Sequence, residues 1–159
     1  MTAGHIVDAS VVQRRIVKTN PHCQVARRNR AGPVGIILVP RNDAGVALAE
    51  AVDGSEAAFV ERMNREAKRL GMTKTRFMNA TGLTEPGHES SARDLALLSR
   101  ALLRDFPDRQ DFFTQKELAF KGVTYYNGNR LLWRDSTVTG LKVGRTVQAG
   151  FCMAASAQR

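Results

Sequence analysis

VTGLKVGRTVQAGFCMAASA, residues 138–157, decides the fold. Two segments, 138–146 and 149–157, have strand character, and the few residues between them favour a reversal. The stretch predicts an antiparallel hairpin. A further strand is expected at about 117–121, followed by an irregular loop through Tyr125, Tyr126, Asn127, Gly128, Asn129 and Arg130. The C-terminal end of the chain is therefore read as strands.

The middle reads as helices. Ala44–Val52 is rich in Ala, Leu and Glu, and Gly54 can close it in the left-handed conformation. Ser55 caps a second helix with Glu56 in its first turn. Phe59, Val60, Met63, Ala67 and Leu70 recur on one face of that helix, and Gly71 stops it. Residues 72–80 read as extended and 81–90 as a turn-rich loop. A third helix opens at Ser91-Ala92-Arg93-Asp94, with Ser91 accepting from an amide of the first turn and Asp94 reaching back. Leu95, Leu98, Ala101 and Leu102 face inward, Phe106-Pro107 closes the helix, and a short helical piece follows at 108–115. Helices in the middle and antiparallel strands towards the end make an α+β chain.

Upstream, Ile6, Val7, Ser10, Val11 and Arg14 fit a helix with one apolar face within 1–18. Residues 19–33 are a loop by their Pro, Gly, Asn and charge content. The apolar run Val34–Val39 ends at Pro40.

Composition limits the function classes. With 159 residues and 43% hydrophobic content, the chain fits one modest domain with a core. No apolar run approaches the roughly 18 residues of a membrane span. Met1–His5 does not begin a signal peptide, because no basic residue precedes an apolar stretch. Cys23 and Cys152 are too few for a disulfide framework, and Cys152 lies in an apolar run that suits a buried thiol. His5, His22 and His88 are too scattered for a Cys/His metal site, so no metal is expected. A net charge of +9 suits an anionic partner: nucleic acid, acidic lipid or a wall polymer. Nucleic acid would use Arg14, Arg15, Arg27, Arg28 and Arg30, but no aromatic residues interleave there and no zinc or recognition-helix pattern appears. A solvated basic loop is the simpler reading.

Several segments, in order, resemble one family. TGLTEPGHESSARDLALLSRALLRDFP (81–107), NRLLWRDSTVTGLKVGRT (129–146), AGFCMAASA (149–157) and PRNDAGVALAEAVDGSEAAFVERMNREAKRLGM (40–72) look like parts of the serine-type D-alanyl-D-alanine carboxypeptidases, the low-molecular-mass penicillin-binding proteins. The likeness covers nearly all of 34–159 and, more faintly, 1–28. It implies a partial penicillin-binding-protein/β-lactamase-like transpeptidase fold. Residues 1–159 are then one incomplete domain, with 1–33 poorly defined. It implies action on peptidoglycan stem peptides, binding of β-lactams, no cofactor, and a place in the periplasm or cell envelope.

That family works with Ser-x-x-Lys, Ser-x-Asn and Lys-Thr-Gly. A serine hydroxyl needs a neighbouring base to become a nucleophile, and a lysine one turn along a helix serves as that base. The second motif relays protons and orients the substrate. The third offers a cation and a hydroxyl to the substrate's terminal carboxylate, and its glycine lets a peptide backbone lie against the strand.

Here the residues three before each lysine are Arg15, Arg65, Gly71, Phe113, Leu118 and Thr139, so Ser-x-x-Lys is absent. If Met1-Thr2-Ala3 corresponds to the residues just past that motif, the chain begins immediately after its nucleophile. The second motif reads Pro40-Arg41-Asn42. Asn42 is its remnant and Pro40 removes the hydroxyl, while the simpler reading of Asn42 is a cap or turn residue before Ala44. In the third motif Lys142 and Gly144 match, and Val143 replaces threonine with the same shape but no donor. Arg145 can add charge for a carboxylate, and Thr146 lies on the face opposite Val143. Without the resemblance, Lys142 is an ordinary strand lysine reaching into solvent. VARRNRAGPVGIILVP (25–40) suggests a deletion between the first and second motifs.

The resulting expectation is a carboxypeptidase-like chain that does not acylate, with Lys142, Gly144 and Arg145 as substrate-binding residues. The alternative is a basic, non-catalytic module for peptidoglycan or another anionic polymer. A sheet that lacks neighbours predicts self-association through its exposed edge.

Overall fold

In a computed structural model of the chain, residues 42–159 other than Lys121 are described. The expected helix within 1–18, the loop 19–33, the run Val34–Val39 and the Pro40-Arg41 half of the second motif lie outside the described residues. So do Cys23, His5, His22 and the arginines at 14, 15, 27, 28 and 30.

Helix α1 covers Asn42–Asp53 and α2 covers Glu56–Arg69. The link between them is short because Gly54 takes φ 79°, a left-handed conformation that a side chain resists. Ser55 then caps α2, its side-chain oxygen accepting from Ala58 N at 3.2 Å. Glu56 in the first turn and Lys68 and Arg69 in the last complement the helix dipole. The helix ends in a Schellman pair: Met72 N donates to Ala67 O at 3.0 Å and Gly71 N to Lys68 O at 3.1 Å. Arg62 on α2 pairs with Asp53 at the end of α1 and fixes the two helices together.

Helix α3 covers Ala92–Asp105. A 3₁₀ turn at Pro107–Arg109 and the single-turn helix α4, Asp111–Thr114, follow it. The buried faces of α2 and α3 meet in one core. Phe59, Met63 and Ala67 come from α2, Leu98 and Leu102 from α3, Phe77 from the loop between them, Phe113 from α4 and Leu141 from the strand region. Burial of each large side chain contributes about 1.5–3 kcal/mol, so this cluster sets where the strands sit.

The segment 72–90 was expected to be extended and then looped. Only Arg76 makes a strand-like contact, exchanging backbone hydrogen bonds with Glu89 at 2.9 and 3.0 Å. Side chains hold the rest. Asn64 of α2 imitates a backbone partner for Phe77, donating to its carbonyl and accepting from its amide, both at 2.8 Å. Glu56 accepts from Ala80 N at 2.9 Å. Asn79 Oδ1 accepts from Thr81 N and Gly82 N, which tightens the turn.

Strand β1, Glu117–Phe120, pairs antiparallel with β2, Val123–Tyr126. Strand β2 corrects the expected irregular loop at Tyr125 and Tyr126. Strand β1 lies where a strand was expected, at about 117–121, whereas β2 is mostly exposed and shows no alternation of burial to read. A one-turn helix α5, Leu131–Arg134, was also unforeseen. Strand β3, Val138–Thr146, pairs antiparallel with β4, Gly150–Ala157, as expected, with a register shift between Val138 and Gly140.

Candidate functional site

The residues to be placed are those of β3. Its entry is fixed locally. Asp135 Oδ1 accepts from Thr137 N at 2.8 Å and from the Thr137 hydroxyl at 2.7 Å, and these bonds hold the exposed carboxyl below its usual range. Past the register shift the pairing is regular. Lys142 faces Ala154, Val143 faces Met153, Gly144 faces Cys152 and Arg145 faces Phe151. Lys142 and Gly144 therefore share one face of the ribbon, and Val143 and Arg145 share the other.

Lys142 does not reach into solvent, as the bare sequence suggested. It is only 7% exposed, and its ammonium donates to the carbonyl of Val143. It is thus a held cation on a strand. Arg145 goes elsewhere: its guanidinium lies 4.9 Å from the centre of the Phe151 ring, on the outer face. Thr146 is a turn residue, its hydroxyl oxygen accepting from Ala149 N at 3.0 Å. Asn42 is the exposed first residue of α1, on a different element from Lys142 and Gly144.

The loop before α5 contains residues that the sequence reading passed over. Asn127 and Asn129 are buried, and the Asn129 amide nitrogen donates to Gly140 O at 3.1 Å on β3. Their signal was available: two carboxamides beside the apolar Leu131-Leu132-Trp133 need buried partners. The hairpin turn is tied to the 81–90 loop, where the Thr84 hydroxyl donates to Gln148 Oε1 at 3.1 Å.

On α3, Asp94 corrects a second expectation. The Ser91 oxygen does accept from Asp94 N at 3.2 Å. The Asp94 carboxylate instead crosses to the 72–90 segment, accepting from Lys74 N at 2.8 Å and the Thr75 hydroxyl at 2.7 Å. Ser90 completes that cluster with a 2.8 Å bond to Thr75. These groups are structural: each has its partners within the loop and α3.

Lys142 and Gly144 are thus brought together on one face of β3, while Val143 and Arg145 lie on the other and Asn42 on another element. Among the described residues no three His, Cys, Asp or Glu side chains come together as metal ligands would.

Known proteins match this chain over most of its length. The family described as D-alanyl-D-alanine carboxypeptidase matches residues 14–159. D-alanyl-D-alanine carboxypeptidase DacC of Escherichia coli is 44% identical over 124 residues, 77% of this chain and 31% of that protein. Penicillin-binding protein 6B from Escherichia coli superposes with TM-score 0.76 at 36% identity, covering 100% of this chain and 53% of the other. Penicillin-binding protein D2 from Listeria monocytogenes, in its ampicillin-bound form, superposes with TM-score 0.77 at 26% identity over 95% of this chain and 71% of the other. The chain spans about a third of the length of the curated relatives it matches. With the α+β arrangement and the family match in agreement, the chain belongs to the D-alanyl-D-alanine carboxypeptidase family.

Proposed function

We propose that this chain supplies the carboxylate-binding strand of a D-alanyl-D-alanine carboxypeptidase-type site, and that its own 159 residues do not acylate. The observation that carries the reading is Lys142, a buried, hydrogen-bonded cation on β3, two residues before Gly144. The ligand is the D-Ala-D-Ala end of a peptidoglycan stem peptide, with β-lactams as its mimics, and the place of action is the cell envelope. Lys142 supplies the charge, Gly144 lets a peptide backbone approach the strand, and Asn42 is the remnant that orients it. Arg145 joins this set only by leaving the Phe151 ring. No serine stands three residues before any lysine of the chain, so no serine hydroxyl has a lysine base one helical turn away, and Thr139, three before Lys142, lies with it on a strand. Self-association through the outer edge and face of β4 is the further expectation for the isolated chain.

Two experiments test this. Incubation of the 159-residue chain with a fluorescent penicillin should leave no covalent label. A stoichiometric serine adduct, located by mass spectrometry, reverses the claim of no acylation. Binding is read separately by NMR titration with N-acetyl-D-Ala-D-Ala. Lys142→Ala should weaken it about tenfold or more, since a hydrogen bond to a charged group contributes roughly 1.5–3 kcal/mol. An unchanged affinity in Lys142→Ala removes the carboxylate from β3.

A further inference from the structure

Asn127 and Asn129 are buried polar side chains that the proposed binding does not use, and Asn129 is 0% exposed. Every amide group they present finds backbone. Asn127 Nδ2 donates to Gln115 O at 2.9 Å, and its own N–H donates to Lys116 O at 2.7 Å. This fixes the loop to the segment between α4 and β1. Asn127 Oδ1 accepts from Asn129 N at 2.9 Å. Asn129 Oδ1 accepts from Leu131 N at 3.2 Å, and its Nδ2 reaches β3 at Gly140 O, 3.1 Å away. Buried amides left unpaired are costly, so this chain of bonds moves as one unit or not at all.

Close packing reinforces it. A Cβ at Gly128 would stand 2.6 Å from Val143 Cγ2, and one at Gly140 would stand 2.6 Å from Phe113 Cβ. The strand is thus pressed by backbone at Gly128 and by Phe113 at Gly140, with Lys142 between the two contacts. Val143 is also the residue whose carbonyl the Lys142 ammonium holds.

We propose that the loop Asn127-Gly128-Asn129 is the positioning element for Lys142, with Asn129 fixing β3 at Gly140 and Gly128 admitting Val143 so that its carbonyl meets the ammonium. Calling Lys142 a ligand-binding group rests on the function proposed above; the positioning itself is read without any ligand. The loop therefore sets the cation by acting on the strand, never by touching a substrate.

The test measures how fast the Lys142 amine of the 159-residue chain reacts with an N-hydroxysuccinimide acetate under native conditions, site by site by mass spectrometry, with exposed Lys68 as internal reference. Gly128→Ala should raise Lys142 reactivity about tenfold, by opening the local contact. The double variant Gly128→Ala/Val143→Ala should return it to within about twofold, because the methyl that the new Cβ meets is gone. Asn129→Asp keeps the acceptor for Leu131 N, loses the donor to Gly140 O, and should also expose Lys142. Leu98→Ala, a core truncation on α3, should lower the melting temperature without selectively exposing Lys142. Equal exposure in Leu98→Ala makes the effect general loosening and overturns the proposal. So does an unchanged rate in Gly128→Ala, or no recovery in the double variant. Should Asn129→Asp fail to fold, the Gly128 and Val143 pair decides alone. Absence of peptide binding in the titration, with the reactivity pattern intact, overturns the functional reading and leaves the positioning standing.

Discussion

Asp94 is 2% exposed and receives two donors on a single oxygen, Oδ2. That geometry separates charge from shape. Asp94→Asn can present its one carbonyl oxygen to both Lys74 N and the Thr75 hydroxyl, so it should lose only the charge-assisted part, about 1 kcal/mol. Asp94→Ala leaves the Lys74 amide and the Thr75 hydroxyl without that acceptor and should lose about 3 kcal/mol. Urea unfolding of the two variants checks the order; equal losses would assign the effect to the carboxylate's charge in the first turn of α3 rather than to its hydrogen bonds. The Ser91 cap was legible because it is local, with donor and acceptor three residues apart. The partners of the Asp94 carboxylate lie 19 and 20 residues away, beyond any spacing rule. Lys142 follows the same logic. Its strand was legible, while its burial, with the ammonium turned back onto the carbonyl of Val143, is set by packing that no spacing rule records.

Among the elements, the amphipathic helices α2 and α3 were the most legible, because their apolar residues recur at helical spacing and their caps are written beside them. In the β1–β2 ribbon the first strand was legible, at about 117–121, and the second was not, since β2 is mostly exposed and shows no alternation of burial. The 72–90 loop lies between these cases: its turns were readable and its anchors were not. One anchor titrates. His88 Nδ1 accepts from Met78 N at 3.3 Å, and its ring meets Phe77 edge-on, with centroids 6.0 Å apart. Burial lowers the His88 pKa from its ordinary 6.5, against a smaller raising influence of Glu85. The folded state therefore binds this proton less readily than the unfolded chain. Stability from His88 is fully present above pH 6.5 and is lost as pH falls through the lowered folded value. A protonated Nδ1 also cannot accept from Met78. The melting temperature should drop between pH 7.5 and pH 5, and the drop should shrink in His88→Gln. A variant with an undiminished drop would assign the pH dependence to the carboxylates.

At the scale of the whole molecule, charge and apolar surface oppose each other. The chain carries a net charge of +9, which repels a second copy at low salt. Strand β4 meanwhile shows an outer face on which Phe151 is 86% and Met153 53% exposed, and among the described residues its far edge pairs with no strand. Large apolar side chains beside an unpaired edge favour edge-to-edge or face-to-face association. Each such side chain buried in an interface contributes up to about 1.5–3 kcal/mol, whereas repulsion between exposed charges fades once the screening length falls from about 10 Å at 0.1 M salt towards 3 Å at 1 M. Association should therefore strengthen with salt, opposite to an assembly held by ion pairs. Sedimentation velocity of the isolated chain should show a concentration-dependent shift to larger species that grows with added sodium chloride. The double substitution Phe151→Lys/Met153→Lys should hold it monomeric in the same salt. A chain that sediments as a monomer at every salt and protein concentration would show that this face does not pair with itself. Association weakened by salt would place it instead on charged surface, away from β4.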